Sequence, residues 1–221
     1  MPSETLVLGF DTSAAHCAAA LLLGDRVLET RIDEMSKGQV EHLMPMLEAL
    51  LARHGYGWGD LGALGVGTGP GNFTGIRIAV SCARGLALSL GIPAIGVSAL
   101  EAAAEGLPRP CTVLQDAKRD EVYHQSFTDE ASAPRLMALS DLSTLGDDVA
   151  VTGSAAAAAV ARGLAREVTE AALPLPEAIA RIAAARHARQ AQTGPLPRPA
   201  PLYLRAADAA PPADPAPVIL P

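Results

Sequence analysis

The sequence predicts an α/β fold built from two related units. Three apolar runs of strand length open the chain, and a stretch with the period of a helix follows them. A glycine-rich segment then joins a fourth strand to a long apolar helix, which is typical of a crossover connection. After Leu107–Pro110, the opening order of strand, aspartate turn and strand returns in outline. Strands and helices that alternate in this way form layers of sheet and helix.

The first unit, residues 1–108, follows from periodicity and turn chemistry. Gly24 and Asp25 are the Gly-X pair of a two-residue hairpin. Apolar residues at i, i+3, i+4, i+7 and i+8 (Leu43, Met46, Leu47, Leu50 and Leu51) predict a helix over Gln39–His54. Ser98 and Glu101 form a capping box for a third helix. The predicted strands are Leu6–Phe10, Cys17–Leu23, Val27–Ile32, Leu61–Thr68 and Ala94–Val97, and the second helix is Ile76–Leu90.

The second unit, residues 109–205, is a reduced repeat of the first. An alanine-rich helix ends near Ala165, and a last helix covers Pro176–Gln190. Nine prolines follow from Pro195 onward, so residues 206–221 are predicted to be a disordered Pro/Ala-rich tail. The predicted strands of this unit are Cys111–Gln115, Val122–Phe127 and Val149–Val151.

Composition excludes several classes of protein. The 24 acidic residues outnumber the 17 basic ones, which gives a formal charge of -7 that repels nucleic-acid phosphates. Three widely spaced cysteines form no C-x-x-C pair, so we expect reduced thiols in a cytoplasmic protein. The longest uncharged apolar run, Gly85–Leu100, has 16 residues and includes Gly91 and Pro93. No membrane segment and no signal peptide are therefore predicted.

The glycine-rich segment Gly67–Gly75 has two interpretations. Its backbone amides, with the helix N-terminus behind them, are suited to a phosphate, but the segment has neither the P-loop lysine nor the Rossmann glycine spacing. The alternative is a tight crossover in which glycines let a strand and a helix pack closely. The candidate phosphate-binding residues in this segment are Gly69, Gly71, Asn72 and Thr74.

The first turn, Asp11-Thr12-Ser13, is open to the same two interpretations. A carboxylate beside two hydroxyls can hold a magnesium-bound phosphate, since magnesium takes oxygen ligands. Asp, Thr and Ser are also ordinary turn residues whose side chains bond to nearby backbone. Asp116 begins the matching second turn, where Lys118 to Glu121 are expected to form a solvated charge cluster.

Metal and nucleophile chemistry have little support in the sequence. No two of the five histidines lie at the i, i+4 spacing of a helical metal site, so no metal site is predicted. Ser81 and Cys82 have no histidine nearby in sequence, and we interpret both as helix residues rather than nucleophiles.

The first two helices carry apolar stripes that can face either the core or a partner. Gly75, Ala79 and Ala83 recur every four residues, which lets another helix approach closely. Val40 and Met44 widen the apolar face of the first helix beyond its leucine stripe. Both interpretations stay open on the residues alone.

Several motifs together resemble one family. They are Phe10-Asp-Thr-Ser13, Gly38-Gln-Val-Glu-His-Leu-Met-Pro45, Gly69-Pro-Gly-Asn-Phe-Thr-Gly-Ile-Arg77, Gly85-Leu-Ala-Leu88, Gly96-Val-Ser-Ala-Leu100, Asp116 through Tyr123, and Pro201-Leu-Tyr-Leu-Arg205. From Leu6 to Arg205 the chain resembles the TsaB family of tRNA threonylcarbamoyladenosine biosynthesis proteins. This resemblance implies an actin-like, hexokinase-like (ASKHA) fold of two βββαβα-type halves, the second reduced.

The resemblance also implies a function. TsaB proteins are regarded as non-catalytic partners of the catalytic relative TsaD, which works with the ATPase TsaE to transfer threonylcarbamoyl to the anticodon-adjacent adenosine of tRNAs reading A-starting codons. TsaD-like proteins carry an H-x-x-x-H metal pair where this chain has Ala99 and Ala103. The first-turn and glycine-loop candidates are then a vestigial phosphate site, and ATP or ADP and metal belong to the partner subunits.

The resemblance places the partner surface on helices matching Gln39–Arg53 and Thr74–Leu90. The same surface is expected to form a homodimer when TsaD is absent, and tRNA is contacted only indirectly. The expected contact residues are Val40, Leu43, Met44, Leu47, Ala79 and Ala83.

Three other functions compete with this one. They are an autonomous sugar kinase or ATPase of the same fold, a peptidase, and direct tRNA recognition. The lone Gly153 argues against an adenosine-binding loop, the missing metal pair argues against a peptidase, and 3% aromatic residues with the charge of -7 argue against direct tRNA binding.

Overall fold

A computed structural model describes residues 4–194 and 196–205 of the chain. The strands are β1 (Leu6–Asp11), β2 (His16–Leu23), β3 (Arg26–Glu34), β4 (Leu61–Gly67), β5 (Ala94–Val97), β6 (Cys111–Asp116), β7 (Glu121–Phe127), β8 (Arg135–Ala138) and β9 (Ala150–Thr152). The α-helices are α1 (Gln39–Arg53), α2 (Phe73–Leu90), α3 (Ala99–Ala104), α4 (Ala156–Ala161) and α5 (Leu175–Thr193). The predicted tail, 206–221, lies outside the described residues.

The two sheets repeat one topology. The first has the order β3-β2-β1-β4-β5, and the second has the order β8-β7-β6-β9. In each, the central strand is antiparallel to the hairpin strand that follows it and parallel to the strand on its other side. The second sheet has no counterpart of β5 among the described residues. The α/β fold of two related halves, the second reduced, is confirmed.

The first sheet is covered on both faces. Leu6, Leu8 and Phe10 alternate along β1 and belong to one buried cluster with the apolar sides of α1 and α2. The intervening Val7 belongs to a second cluster with Ala180 and Ala183 of α5. A Cβ on Gly9 would lie 2.7 Å from the backbone nitrogen of Ala180, so only glycine allows this approach. The last helix therefore packs on the first sheet, although it follows the second sheet in sequence.

Most predicted elements differ from the structure by one to three residues at an end, and α2, α4 and β8 differ for a local reason. Helix α2 begins at Phe73 because the Asn72 side chain caps it, with its Oδ1 accepting the Gly75 amide at 2.9 Å. Helix α4 ends at Ala161, short of Ala165, since Gly163 has a left-handed φ of 70°. Strand β8 was not predicted, because four residues after Pro134 give too short a pattern; it pairs antiparallel with β7.

Helix α2 is the one helix among the described residues that is long and apolar enough to cross a membrane by length and composition alone. Its residues Gly75, Ile76, Ala79, Val80 and Ala83 are buried, and the helix packs against β4 and β1. The apolar character of α2 is therefore partly explained by the core of the first half.

Candidate functional site

The first turn is built around a fully buried carboxylate. Asp11 Oδ1 accepts hydrogen bonds from the Ser13 amide and the Ser13 hydroxyl, both at 2.8 Å, and lies 2.9 Å from His16 Nε2. Asp11 Oδ2 has no hydrogen-bond partner. A Cβ on Gly67 would lie 1.8 Å from this oxygen, so Oδ2 is held directly against the β4 backbone. The carboxylate thus organises its own turn.

The glycine-rich loop packs directly on that turn. Thr12 Oγ1 donates to the Gly75 carbonyl at 2.6 Å, and the backbone amide of Asn72 donates to the Ser13 carbonyl at 2.6 Å. A Cβ on Gly75 would lie 1.9 Å from the Thr12 carbonyl oxygen, and one on Gly71 would lie 2.5 Å from the Ser13 carbonyl oxygen. Backbone therefore fills the Cβ side of Gly71 and Gly75, and the backbone amides of Asn72 and Gly75 are already bonded within the protein, which favours the tight-crossover interpretation.

The remaining two loop candidates differ in exposure. Gly69 is buried with a φ of 81°, and its carbonyl accepts the Ala99 amide at 2.7 Å. Thr74 is exposed on the first turn of α2. The loop therefore joins β4, α2 and the start of α3, as a tight crossover does.

The second turn repeats the first at the level of hydrogen bonds. Asp116 Oδ1 accepts the Lys118 amide at 2.9 Å, as Asp11 Oδ1 accepts the Ser13 amide. The expected solvated charge cluster is only partly correct, because two of its charges pair with distant residues. Asp120 binds Arg162 at 3.0 Å, and Glu121 binds Arg205 at 2.7 Å.

The residues considered for metal and nucleophile chemistry are dispersed. Across residues 4–194 and 196–205, no group of three or more His, Cys, Asp or Glu is placed to hold a metal ion. Ala99 and Ala103 both lie on α3. Burial raises the pKa of the Cys82 thiol to about 11, so it is protonated at neutral pH, and Ser81 is exposed on α2.

One buried histidine in the second half has not been singled out by any sequence pattern. His124 is 5% exposed, its Nε2 lies 3.2 Å from Ser126 Oγ, and its Nδ1 has no partner. Burial and the neighbouring Arg135 lower the pKa of His124 below its ordinary 6.5. The charged form is therefore disfavoured in the folded state.

This histidine predicts a pH dependence of stability. Because the folded pKa lies below the unfolded one, the stabilisation from neutral His124 is complete above about pH 6.5 and falls as the pH drops from there toward the folded pKa. The free energy of unfolding, measured with urea at pH 7.5 and 5.5, should decrease more in the wild type than in His124→Gln. Equal decreases would contradict the assignment, because the other titrating groups are common to both proteins.

The structure divides the six predicted contact residues into two groups. Val40 is 61% exposed and Met44 is 39% exposed. The other four are fully buried in the first half's own core: Leu43, Leu47, Ala79 and Ala83. As direct contact residues these four are a correction, because their side chains pack against β1, β2 and β4 rather than toward solvent.

The exposed sides of α1 and α2 carry apolar residues that the sequence analysis did not select. Phe73 is 53% exposed and Leu88 is 86% exposed, at opposite ends of α2. Between the helices, Cys82 Sγ lies 3.4 Å from Met44 Sδ. We call Val40, Met44, Phe73, Cys82 and Leu88 the helix surface. Val40 and Met44, at i and i+4 on α1, are the two positions of this surface that the sequence analysis selected.

Comparison with known proteins gives a consistent set of similarities. The family model for TsaD, described as tRNA N6-adenosine threonylcarbamoyltransferase, matches residues 33–133. The Escherichia coli tRNA threonylcarbamoyladenosine biosynthesis protein TsaB is 33% identical over 126 residues, and the Haemophilus influenzae protein of the same name is 35% identical over 130. These alignments span about half the length of the curated relatives, 54% of each.

Longer similarities cover nearly the whole chain. The uncharacterized protein Rv3421c of Mycobacterium tuberculosis is 33% identical over 209 residues, which is 93% of this chain and 94% of that protein. The solved structure of YeaZ from Pseudomonas aeruginosa superimposes with a TM-score of 0.72 at 27% identity, and the match covers 90% of this chain and all of that one. A second Pseudomonas aeruginosa structure, of an uncharacterized protein with similarity to peptidase YeaZ, gives a TM-score of 0.76.

Proposed function

The chain belongs to the TsaB family, and on that premise we propose that it is the non-catalytic subunit that binds and activates a TsaD-like enzyme. In this function the enzyme, with a TsaE-like ATPase, transfers threonylcarbamoyl to the anticodon-adjacent adenosine of tRNAs that read A-starting codons. The similarity to curated TsaB proteins and the match to the TsaD family model support this assignment.

The observation that carries the proposal is the helix surface. Seven large hydrophobic side chains are exposed in the described part of the chain, and four of them belong to α1 and α2: Val40, Met44, Phe73 and Leu88. Exposed apolar residues on neighbouring helices are typical of a protein interface. Burying each such side chain contributes roughly 1.5–3 kcal/mol before the costs of association. We place the contact with the TsaD-like subunit here.

The closed first turn supports the non-catalytic part of the proposal. The Thr12 hydroxyl donates to the Gly75 carbonyl, and the Asn72 backbone amide donates to the Ser13 carbonyl. These groups therefore bond within the protein rather than to a ligand. Asp11 likewise binds its own turn. In our proposal, nucleotide and metal are therefore held by the partner subunits.

The remaining partners follow from the same surface. In the absence of the TsaD-like subunit, the helix surface would join two copies of this chain, since a two-fold dimer brings the same patch of both copies together and would bury these apolar side chains. The TsaE-like ATPase and the tRNA would be contacted through the complex, because the charge of -7 disfavours direct binding to phosphates.

The three free cysteines, Cys17, Cys82 and Cys111, agree with a cytoplasmic location.

Met44→Asp should abolish complex formation with the TsaD-like subunit while leaving the chain folded. A carboxylate at this half-exposed position stays hydrated in the free chain but would be buried and unpaired in the complex. We expect at least a tenfold weaker Kd. The measurement is co-purification of the two subunits, followed by reconstituted threonylcarbamoyl transfer to tRNA.

Val168→Asp is the matched control, because Val168 is also exposed, at 42%, but precedes Thr169, whose amide bonds to Val151 of the second sheet. It should bind and activate like the wild type. Full binding and full tRNA modification by folded Met44→Asp would overturn the proposed surface. Modification that proceeds equally well without this chain would overturn the proposed function.

A further inference from the structure

Residues 202–205 connect parts of the molecule that are distant in sequence. The Leu202 amide donates to the Thr68 carbonyl at 2.9 Å, at the end of β4. Two residues later, the side chain of Leu204 packs against the cluster that contains Leu100 and Phe127. We call residues 202–205 the strap. It touches both halves within four residues.

The first end of the strap lies on the exposed start of α2. The rings of Tyr203 and Phe73 stack with centroids 5.3 Å apart, and the Arg77 guanidinium carbon lies 3.8 Å from the Phe73 ring centroid. Arg77 Nε also donates to the Tyr203 hydroxyl at 2.8 Å. Tyr203 and Phe73 remain 47% and 53% exposed. Any molecule that covers the start of α2 therefore contacts the strap.

The second end of the strap holds the β6–β7 turn. Arg205 Nη2 donates to the Ala117 carbonyl at 2.8 Å and to Glu121 Oε2 at 2.7 Å, one partner on each side of the turn. Between these two partners, Lys118, Arg119 and Asp120 have φ values of 61°, 56° and 58°. Three successive non-glycine residues in the left-handed region are strained, and such a conformation persists only where its surroundings enforce it.

We propose that the strap couples the exposed start of α2 to the conformation of the β6–β7 turn, with Tyr203 and Arg205 as its positioning residues. Arg205 closes the turn by bridging its two ends. Tyr203 fixes the position from which Arg205 reaches them, because only Leu204 separates the two residues. A change in the packing of Tyr203 on Phe73 therefore changes how firmly Arg205 holds residues 117–121.

The coupling is a property of this chain alone and does not depend on the proposed partner. The Ala117 amide donates to the Glu121 carbonyl at 2.9 Å, and the Glu121 amide donates to the Lys118 carbonyl at 3.1 Å. These amides are protected from hydrogen exchange as long as the turn is closed. Their exchange rates report the turn directly in the isolated, full-length protein.

The test is hydrogen exchange of amides 117–121, followed by mass spectrometry or NMR. Arg205→Ala should raise their exchange rates by about tenfold, since the turn loses the charged bridge between its two ends. Tyr203→Ala should raise the same rates by about threefold, although Tyr203 does not contact the turn. Tyr203→Phe keeps the ring that stacks on Phe73, so its exchange rates at 117–121 should equal those of the wild type.

Arg84→Ala is the control, because it likewise removes a cationic side chain. Arg84 is exposed and lies on α2 toward the end opposite to Phe73, away from the strap. This variant should leave exchange at 117–121 unchanged. Exchange across the first sheet, measured in the same samples, identifies any variant that is globally destabilised. If Tyr203→Ala leaves 117–121 at wild-type rates, or if Arg205→Ala does, the strap does not couple the two places.

Discussion

Gly75→Ala should destabilise the protein by at least about 3 kcal/mol, which is the upper end of the cost of overpacking a core. The new Cβ would lie 1.9 Å from the Thr12 carbonyl oxygen, and this is a backbone atom that cannot rotate away. Relief requires separating α2 from the first turn, which also breaks the bond from Thr12 Oγ1 to the Gly75 carbonyl. Urea denaturation gives the difference in the free energy of unfolding.

Gly85→Ala, ten residues further along the same helix, is the matched control. A Cβ at this position meets nothing within 4 Å. Alanine restricts the unfolded chain and favours the helix, so this change should stabilise the protein by about 0.4–1 kcal/mol. A Gly75→Ala protein as stable as the wild type would show that the loop is not packed on the turn, and it would reopen the phosphate-binding interpretation.

Leu47→Ala should cost about 2–5 kcal/mol, whereas Met44→Ala, one turn earlier on the same helix, should cost less than about 1 kcal/mol. Leu47 is fully buried among residues of β1, β2 and β4, so its truncation leaves a cavity. Met44 is 39% exposed and leaves none. Thermal and urea unfolding of the two variants measure the contrast.

Met44→Ala and Leu47→Ala also distinguish a loss of binding from a loss of stability. Met44→Ala should weaken binding to the TsaD-like subunit without unfolding the chain, while any loss of binding in Leu47→Ala should follow its loss of structure. A stable Leu47→Ala protein that cannot bind would instead return Leu47 to the contact surface.

Much of the fold could be predicted from short-range patterns. The leucine stripe of α1, the Gly24-Asp25 hairpin and the capping box of Ser98 and Glu101 all appear in the structure at the predicted positions. Each depends on a few neighbouring residues whose spacing or side-chain chemistry fixes the local conformation. The returning strand, turn and strand pattern likewise predicted the β6–β7 pair, and the structure adds that Asp116, like Asp11, accepts an amide two residues later.

The direction in which a helix faces could not be predicted in the same way. In α1, apolar residues occupy more than one side, and periodicity does not say which side meets the sheet. The leucine stripe with Leu43 and Leu47 meets it, and the adjoining Val40 and Met44 are left outside. The sequence analysis therefore assigned four core residues, among its six contact candidates, to the outer surface of α1 and α2.

Contacts between distant residues left no local signal at all. Tyr203 meets Arg77 across 126 positions, and Arg205 meets Glu121 across 84. Motif resemblance singled out Pro201–Arg205 as a segment, but only the three-dimensional arrangement shows that its side chains close the β6–β7 turn. The left-handed backbone of Lys118 to Asp120 is equally invisible in sequence, because none of the three is glycine.

The position of α5 on the first sheet has a consequence for how the chain matures during synthesis. Val7, Ala63 and Ile95 are covered by Ala180 and Ala183 of α5, which the ribosome adds only after the strands of both sheets. Until then one apolar side of the first sheet is exposed to solvent, so we expect the nascent chain to need a chaperone or rapid synthesis of α5. Residues 1–108 expressed alone should accumulate as aggregates.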